Sequence, residues 1–210
     1  MTLFRSTVLA VVAIAVLACG LPAAEPLGEP ADPAPAGIYF ADPAHTSVTW
    51  SLRHIGLSHY TARFVAPEAT LDWRPEAPES SSLSVRIEPA SVRTDFPWPE
   101  HEDFDGKIAK GEDFLANRLI TFVSTRIERT GPASARVLGD LTLRGETHPA
   151  VLEVVLNGSM DRHPATGRPR VGFSATGSIR RSDWGMTALL PMVGDDVRIV
   201  IEAELGPDLG

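Results

Sequence analysis

The imidazole of His54 closes the run Val48-Thr-Trp-Ser-Leu-Arg-His54, in which alternate side chains are apolar up to the last one. Alternation places His54 on the face of Leu52, where it either donates a hydrogen bond to the polar end of a bound molecule or is satisfied internally as a structural histidine. A second polar group, Arg181-Ser182-Asp183, follows a strand-like run and offers two readings: a charged reading site for a head group, or an Arg-Asp pair stapling a sharp turn. His45 reads as a turn residue. The segment His101-Glu-Asp-Phe-Asp105 has the ingredients of a metal site but lacks the HExxH spacing that sets two imidazoles on one helical face, so a solvated acidic loop accounts for it better. Nucleophilic catalysis finds no support: there is no GxSxG elbow and no Gly-rich phosphate loop, and the only cysteine is Cys19. A binding protein is expected rather than an enzyme, with no metal and no cofactor beyond a bound ligand.

The elements that must position these groups are strands. Val171, Phe173, Ala175, Gly177 and Ile179 share one face, with Ser174, Thr176, Ser178 and Arg180 on the other; this is the period of two expected of a half-buried strand. The same pattern recurs at Val48–His54, Ala62–Ala66, Ala69–Trp73, Leu83–Ile87, Leu119–Arg129, Ala135–Leu143, Ala150–Asn157 and Val197–Leu205. Ile55-Gly-Leu-Ser58 and Arg144-Gly145-Glu146 read as hairpin turns. At Pro67 the apolar face falls out of phase, as at a bulge or bend. Between Phe96 and Ala116 alternation is lost, and Phe96, Phe104, Ile108, Phe114 and Leu115 suit one or two short helices in a long crossover able to act as a lid. One-sided strands without a regular strand-helix rhythm imply an antiparallel sheet closed into a barrel.

Composition bounds the rest. The 210 residues are 43% hydrophobic, enough for one cored domain, and the net charge of -8 offers no basic stripe for nucleic acid. Arg5 precedes an apolar run from Val8 to Ala18, too short to span a membrane but fitting a secretory signal, here residues 1–18. Val16-Leu-Ala-Cys19 resembles the lipobox of bacterial lipoproteins, which makes Cys19 a lipidation site; cleavage after Ala18 or Gly20 without lipidation is the alternative. Residues 19–36 are rich in Pro and Ala and read as a linker, with the folded domain at 37–206.

Taken together, Asp42, His45-Thr-Ser-Val48, Trp50-Ser-Leu-Arg-His54-Ile-Gly56, Phe64, Asp113-Phe114, Ile120-Thr-Phe122, Gly139-Asp-Leu-Thr-Leu-Arg-Gly145, Gly172-Phe173, Arg181-Ser-Asp-Trp-Gly-Met186 and Gly194-Asp195 resemble the YceI-like family. That resemblance implies an all-β, lipocalin-like antiparallel barrel of about eight strands. It further implies a periplasmic or secreted protein that holds a polyisoprenoid or other long-chain amphiphile; with the lipobox at Cys19 the expected place is the periplasm or, as a lipoprotein, the outer membrane, and the expected ligand a polyisoprenoid, an isoprenoid quinone or a fatty-acid derivative. The expected lining is Val48, Trp50, Leu52, His54, Phe64, Leu71, Val85, Ile87, Phe122, Leu141, Val154, Phe173, Trp184 and Met186. Periodicity alone does not separate lining from solid packing, so a filled barrel that meets a partner protein through Leu189-Leu-Pro-Met-Val193 stays open. A homodimer, through exposed strand edges or that same loop, stays open too, as does a lipid-directed enzyme using His54 or the Glu100–Asp105 loop.

Overall fold

The structure is a computed structural model that describes residues 32–207. The expected signal peptide, Cys19 and most of the linker lie outside the described residues. Eleven strands appear in order: β1 Gly37–Ala41, β2 Ser47–His54, β3 Ser58–Val65, β4 Glu68–Trp73, β5 Ser82–Ile87, β6 Val92–Arg93, β7 Ile120–Arg129, β8 Ser134–Leu143, β9 Glu146–Met160, β10 Arg170–Arg180 and β11 Val193–Gly206. One α-helix, α1 Phe104–Lys110, stands in the crossover between β6 and β7. Short 3-10 turns lie at Pro78–Ser80, Pro89–Ser91 and Arg181–Trp184.

All strand pairs are antiparallel, and β1, β4, β5, β7, β8, β9, β10 and β11 form a ring of eight. Phe40 opposite Gly206 and Ala41 opposite Leu205 close it. The barrel is thus the one the alternating sequence demands, since closure removes the unpaired edges of an open sheet. Toward its other end β11 pairs instead with β2, then β3, then β6. The bend expected at Pro67 is a corner: the chain leaves β3 at Val65, passes Ala66 at φ 51°, and re-enters as β4 beside β1 and β5. One strand position of the barrel is therefore shared by β3 above and β4 below.

The β8–β9 hairpin turns on Arg144 and Gly145 at φ 55° and 83°, the two positive values that a two-residue turn needs to match strand twist. Arg144 then donates from Nη1 to the carbonyls of Glu112 (2.6 Å) and Phe114 (2.8 Å), tying the crossover to the barrel. Helix α1 begins on Asp103, whose carboxylate accepts from the Gly106 N–H at 2.8 Å. It buries Ile108 and Ala109 against Phe64, Ile87 and Val92, which is why an otherwise polar segment stays seated across the barrel end.

Residues ahead of Gly37, in the expected linker, also pack against the barrel. Ala34 is buried; its N–H donates to the Ser159 hydroxyl (2.9 Å), and its carbonyl accepts from Trp73 Nε1 (3.4 Å). Pro35 accepts from the Tyr39 hydroxyl at 2.8 Å. A Pro-rich segment has no periodicity to announce such a role, because its partners come from β1, β4 and β9.

Candidate functional site

The inward faces of the strands enclose hollow space in two chambers. The larger, about 380 Å³, lies beneath α1 and the β2–β3 and β10–β11 connections. The smaller, about 190 Å³, lies toward the ring-closed end. Val48, Val85, Leu152 and Ile201 line both and form a waist between them. Along β2 the upper chamber runs from Val48 to His54, six residues or about 20 Å at the rise of a strand.

Ten of the expected lining residues face the upper chamber: Val48, Trp50, Leu52, His54, Phe64, Val85, Ile87, Phe122, Leu141 and Met186. Leu71, Val154 and Phe173 face the lower one, where Val48 and Val85 also contribute. Trp184 is the exception. Its indole is buried in the wall, donating from Nε1 to the Glu146 carbonyl (3.1 Å) and packing edge-on against His148, so it lines neither chamber. The physical reason is the 3-10 turn at Arg181–Trp184, which carries the indole against His148 in the wall instead of over the hollow.

Sequence reasoning made the crossover a lid but did not count its side chains, or Tyr60, among the lining. Phe104, Ile108, Phe114 and Leu115 of the crossover roof the upper chamber, and Tyr60 on β3 faces it beside His54. The aromatic spacing of the crossover was the available signal, but only its seating over the barrel end makes it lining. Small residues make room where large ones lie: a Cβ on Gly139 would run into the Phe122 ring, and one on Gly177 would meet Leu152 at 2.9 Å.

The polar groups collect at the mouth. His54 sits 6.3 Å, ring to ring, from Tyr60, which in turn packs edge-on against Phe104 at 6.0 Å. Lys107, Asp113, Ser178 and Arg181 complete the polar part of the lining. Lys107 is held by Glu102 at 2.6 Å. Burial pushes the Tyr60 phenol above its usual pKa, so it is a neutral donor at any ordinary pH.

Arg181 turns out to be a clamp. Buried, its guanidinium donates to four backbone carbonyls: Gly194 (2.8 Å), Met186 (2.6 Å), Ala188 (2.9 Å) and Val193 (2.9 Å). Burial pushes its pKa down, yet a guanidinium starts high enough to remain charged. Asp195 accepts from the Ser182 N–H (2.9 Å) and hydroxyl (2.7 Å). Burial works to raise the Asp195 pKa, but these two bonds and the charges of Arg181 and Arg180 outweigh it and hold the carboxyl below the usual range. Arg180 and Asp183 pair at 2.8 Å and staple the turn. Of the two readings of this segment, the structure places all three residues in turn architecture.

The acidic loop has similar duties. Glu102 pairs with Lys107, Asp103 caps α1, and Asp105 accepts from the Thr94 N–H (2.8 Å) and hydroxyl (2.5 Å). His45 and Asp42 join at 3.0 Å in the β1–β2 turn, as a turn residue should. Among the described residues no His, Cys, Asp and Glu cluster is placed to hold a metal ion.

The arrangement is that of a tube with greasy walls, two adjoining chambers and a polar lip. Its larger chamber falls within the range of about 300–1,000 Å³ typical of small-molecule sites. Comparison with known proteins agrees on the architecture. A YceI-like domain profile matches residues 39–205. A UPF0312 protein of Pseudomonas putida (strain W619) is 34% identical over 145 residues, 68% of this chain and 71% of the relative. The solved YceI protein of Campylobacter jejuni superposes with a TM-score of 0.62 at 26% identity, over 74% of this chain and 90% of that one. A polyisoprenoid binding domain from Saccharophagus degradans shares the fold, with a TM-score of 0.53 at 13% identity over 80% and 97% of the two chains. With the barrel, the motif order and the profile all in agreement over the folded part, the chain belongs to the YceI-like family.

Proposed function

We propose that this protein binds one long apolar chain, a polyisoprenoid, isoprenoid quinone or fatty-acid derivative, inside the barrel, with the chain's polar end at the His54–Tyr60 lip. The observation that carries this reading is the waisted pair of chambers, 380 and 190 Å³, walled by aliphatic and aromatic side chains. An eight-stranded barrel has room for its own side chains or for one slender ligand, and hollow space here favours the ligand over a filled interaction module. Moving each methylene from water into such a wall stabilises the complex by about 0.8 kcal/mol, so a long chain binds through its length more than through its head. The Saccharophagus degradans domain, described as polyisoprenoid binding, supports the ligand class by its shared fold. The polar lip lacks a nucleophile held by a base, which favours a carrier or reservoir over an enzyme. Working in the cell envelope, with Arg5 and Val8–Ala18 as export signal and Cys19 as anchor, suits a ligand that resides in membranes.

Native mass spectrometry of protein purified from its own host, followed by organic extraction, tests the proposal. The expected result is a stoichiometric long-chain species. In Leu152→Trp, which narrows the waist, the extracted chains should be shorter. A barrel recovered empty at stoichiometric sensitivity defeats the reading.

A further inference from the structure

Nine large hydrophobic side chains are exposed among the described residues, and five of them gather around one opening. Ile55 and Leu57 lie on the β2–β3 turn, Leu189 and Met192 on the β10–β11 connection, and Trp98 on the crossover. Leu57 is 88% exposed and the other four are each more than half exposed. Leu189 also lines the upper chamber, so the greasy wall of the cavity runs out continuously onto this rim. Trp98 joins it through an aromatic chain, packing edge-on against Phe96 (5.8 Å), which meets Phe104 (5.4 Å) in the chamber roof.

The rim is built rather than loose. The Ile55 N–H donates to the Met192 carbonyl (2.8 Å), the Val193 N–H to Leu189 (2.9 Å), and Arg181 holds the carbonyls of Ala188 and Val193. Ile55 and Leu189 moreover occupy left-handed backbone, at φ 51° and 61°. That region favours Gly or Asn, and a β-branched residue is strained there. A solvated loop tip has no use for an exposed isoleucine in strained backbone, so two local rules are broken together at the mouth.

We infer that this rim seats the barrel mouth-down on a lipid bilayer, where Ile55, Leu57, Trp98, Leu189 and Met192 enter the interface and the upper chamber opens directly to the acyl region. This rests on the proposed ligand: whatever covers the rim must pass an apolar chain across it without exposing that chain to water, and a bilayer surface does so. The charged groups about the rim are of both signs, Arg53 against the Gly56 turn, Lys107 paired with Glu102, and Glu100 and His101 beside Trp98, and they form no continuous basic belt. Docking therefore runs on apolar insertion, with a Trp at the interface, and needs neither anionic lipid nor low salt.

The test is sedimentation of the full chain, carrying Cys19→Ser to remove any acyl anchor, with phosphatidylcholine vesicles at low and high salt. The parent should sediment equally at both. Leu57→Asp with Met192→Asp should weaken partitioning at least tenfold, while Val123→Asp with Val155→Asp, exposed positions on the barrel wall, should leave it unchanged. Uptake of a fluorescent long-chain fatty acid from solution, measured on the same proteins, separates the two readings. Rim variants that take up the probe and stay off vesicles support docking. Rim variants that sediment like the parent, binding that needs anionic lipid and fails in salt, or a parent that dimerises in solution through the rim each overturn it. A parent that sediments but takes up no probe overturns the cavity reading, and the handover with it.

Discussion

The two ends of this barrel solve opposite problems. At the lower end β1 bridges β4 and β11, closing the ring with backbone hydrogen bonds. Tyr39, Trp73, Val171, Leu205 and Ala34 then pack as a buried cluster at this end, each at most 7% exposed. At the upper end the strands splay: β11 pairs with β2, and the gap toward β7 is spanned by α1 and its flanking loops, held by Arg144 and Asp103. A strand ladder cannot open without losing its bonds in concert, whereas a short helix seated on a few apolar side chains can yield locally. The upper end is therefore the more yielding of the two, and the closed ring the more resistant.

The largest effect that tests this contrast is on folding. Trp73→Ala should cost about 3–5 kcal/mol by loss of contacts and a cavity in the buried cluster. Leu57→Asp, at the opposite end, should change stability by less than about 0.5 kcal/mol. Urea denaturation of both variants measures the difference, and comparable losses would erase the distinction between the ends.

Next in size is Arg181. Replacing it by Met leaves buried carbonyls unsatisfied, at about 1–3 kcal/mol for a group left without a partner, and frees the β10–β11 connection. Arg181→Lys should recover little, because a single ammonium cannot hold four carbonyls in a planar fork. Amide exchange should accelerate at Ala188–Val193 and remain slow in β1 and β4; acceleration across the whole barrel would mean that the clamp supports the fold rather than the mouth.

The smallest effects are electrostatic and sharpen the same comparison. Asp195, at the upper end, has a folded pKa below its unfolded value of about 3.9, so its stabilisation is present above that value and is lost as pH falls through the folded pKa. The melting-temperature gap between the wild type and Asp195→Asn should close on acidification. At the lower end His45 has its pKa raised by its hydrogen bond to Asp42, so its contribution is present below about 6.5 and fades as pH rises through the folded value. The gap to His45→Gln should therefore close on the alkaline side.

Much of the site could be read from alternation, because in a closed barrel a two-residue period divides each strand into an inside and an outside with no third choice. Val48, Trp50, Leu52 and His54 on β2 illustrate this: all four face the upper chamber. The reading failed where the strand stopped. Trp184 sits in a 3-10 turn beyond the last strand residue, where alternation assigns no face, and the crossover residues became lining only by lying across the barrel end. Ala34, in a segment that composition marks as linker, became part of the buried cluster at the lower end.

By itself the sequence determined strand faces, hairpin turns and the closed antiparallel class, since these depend on neighbours one or two residues away and on the turn chemistry of pairs such as Arg144-Gly145. Whether the inward side chains meet or leave a hollow, how that hollow divides at Val48, Val85, Leu152 and Ile201, and which loops converge into an apolar rim were decided only by the tertiary structure. Those outcomes turn on distances between strands far apart in the chain, which no local pattern encodes.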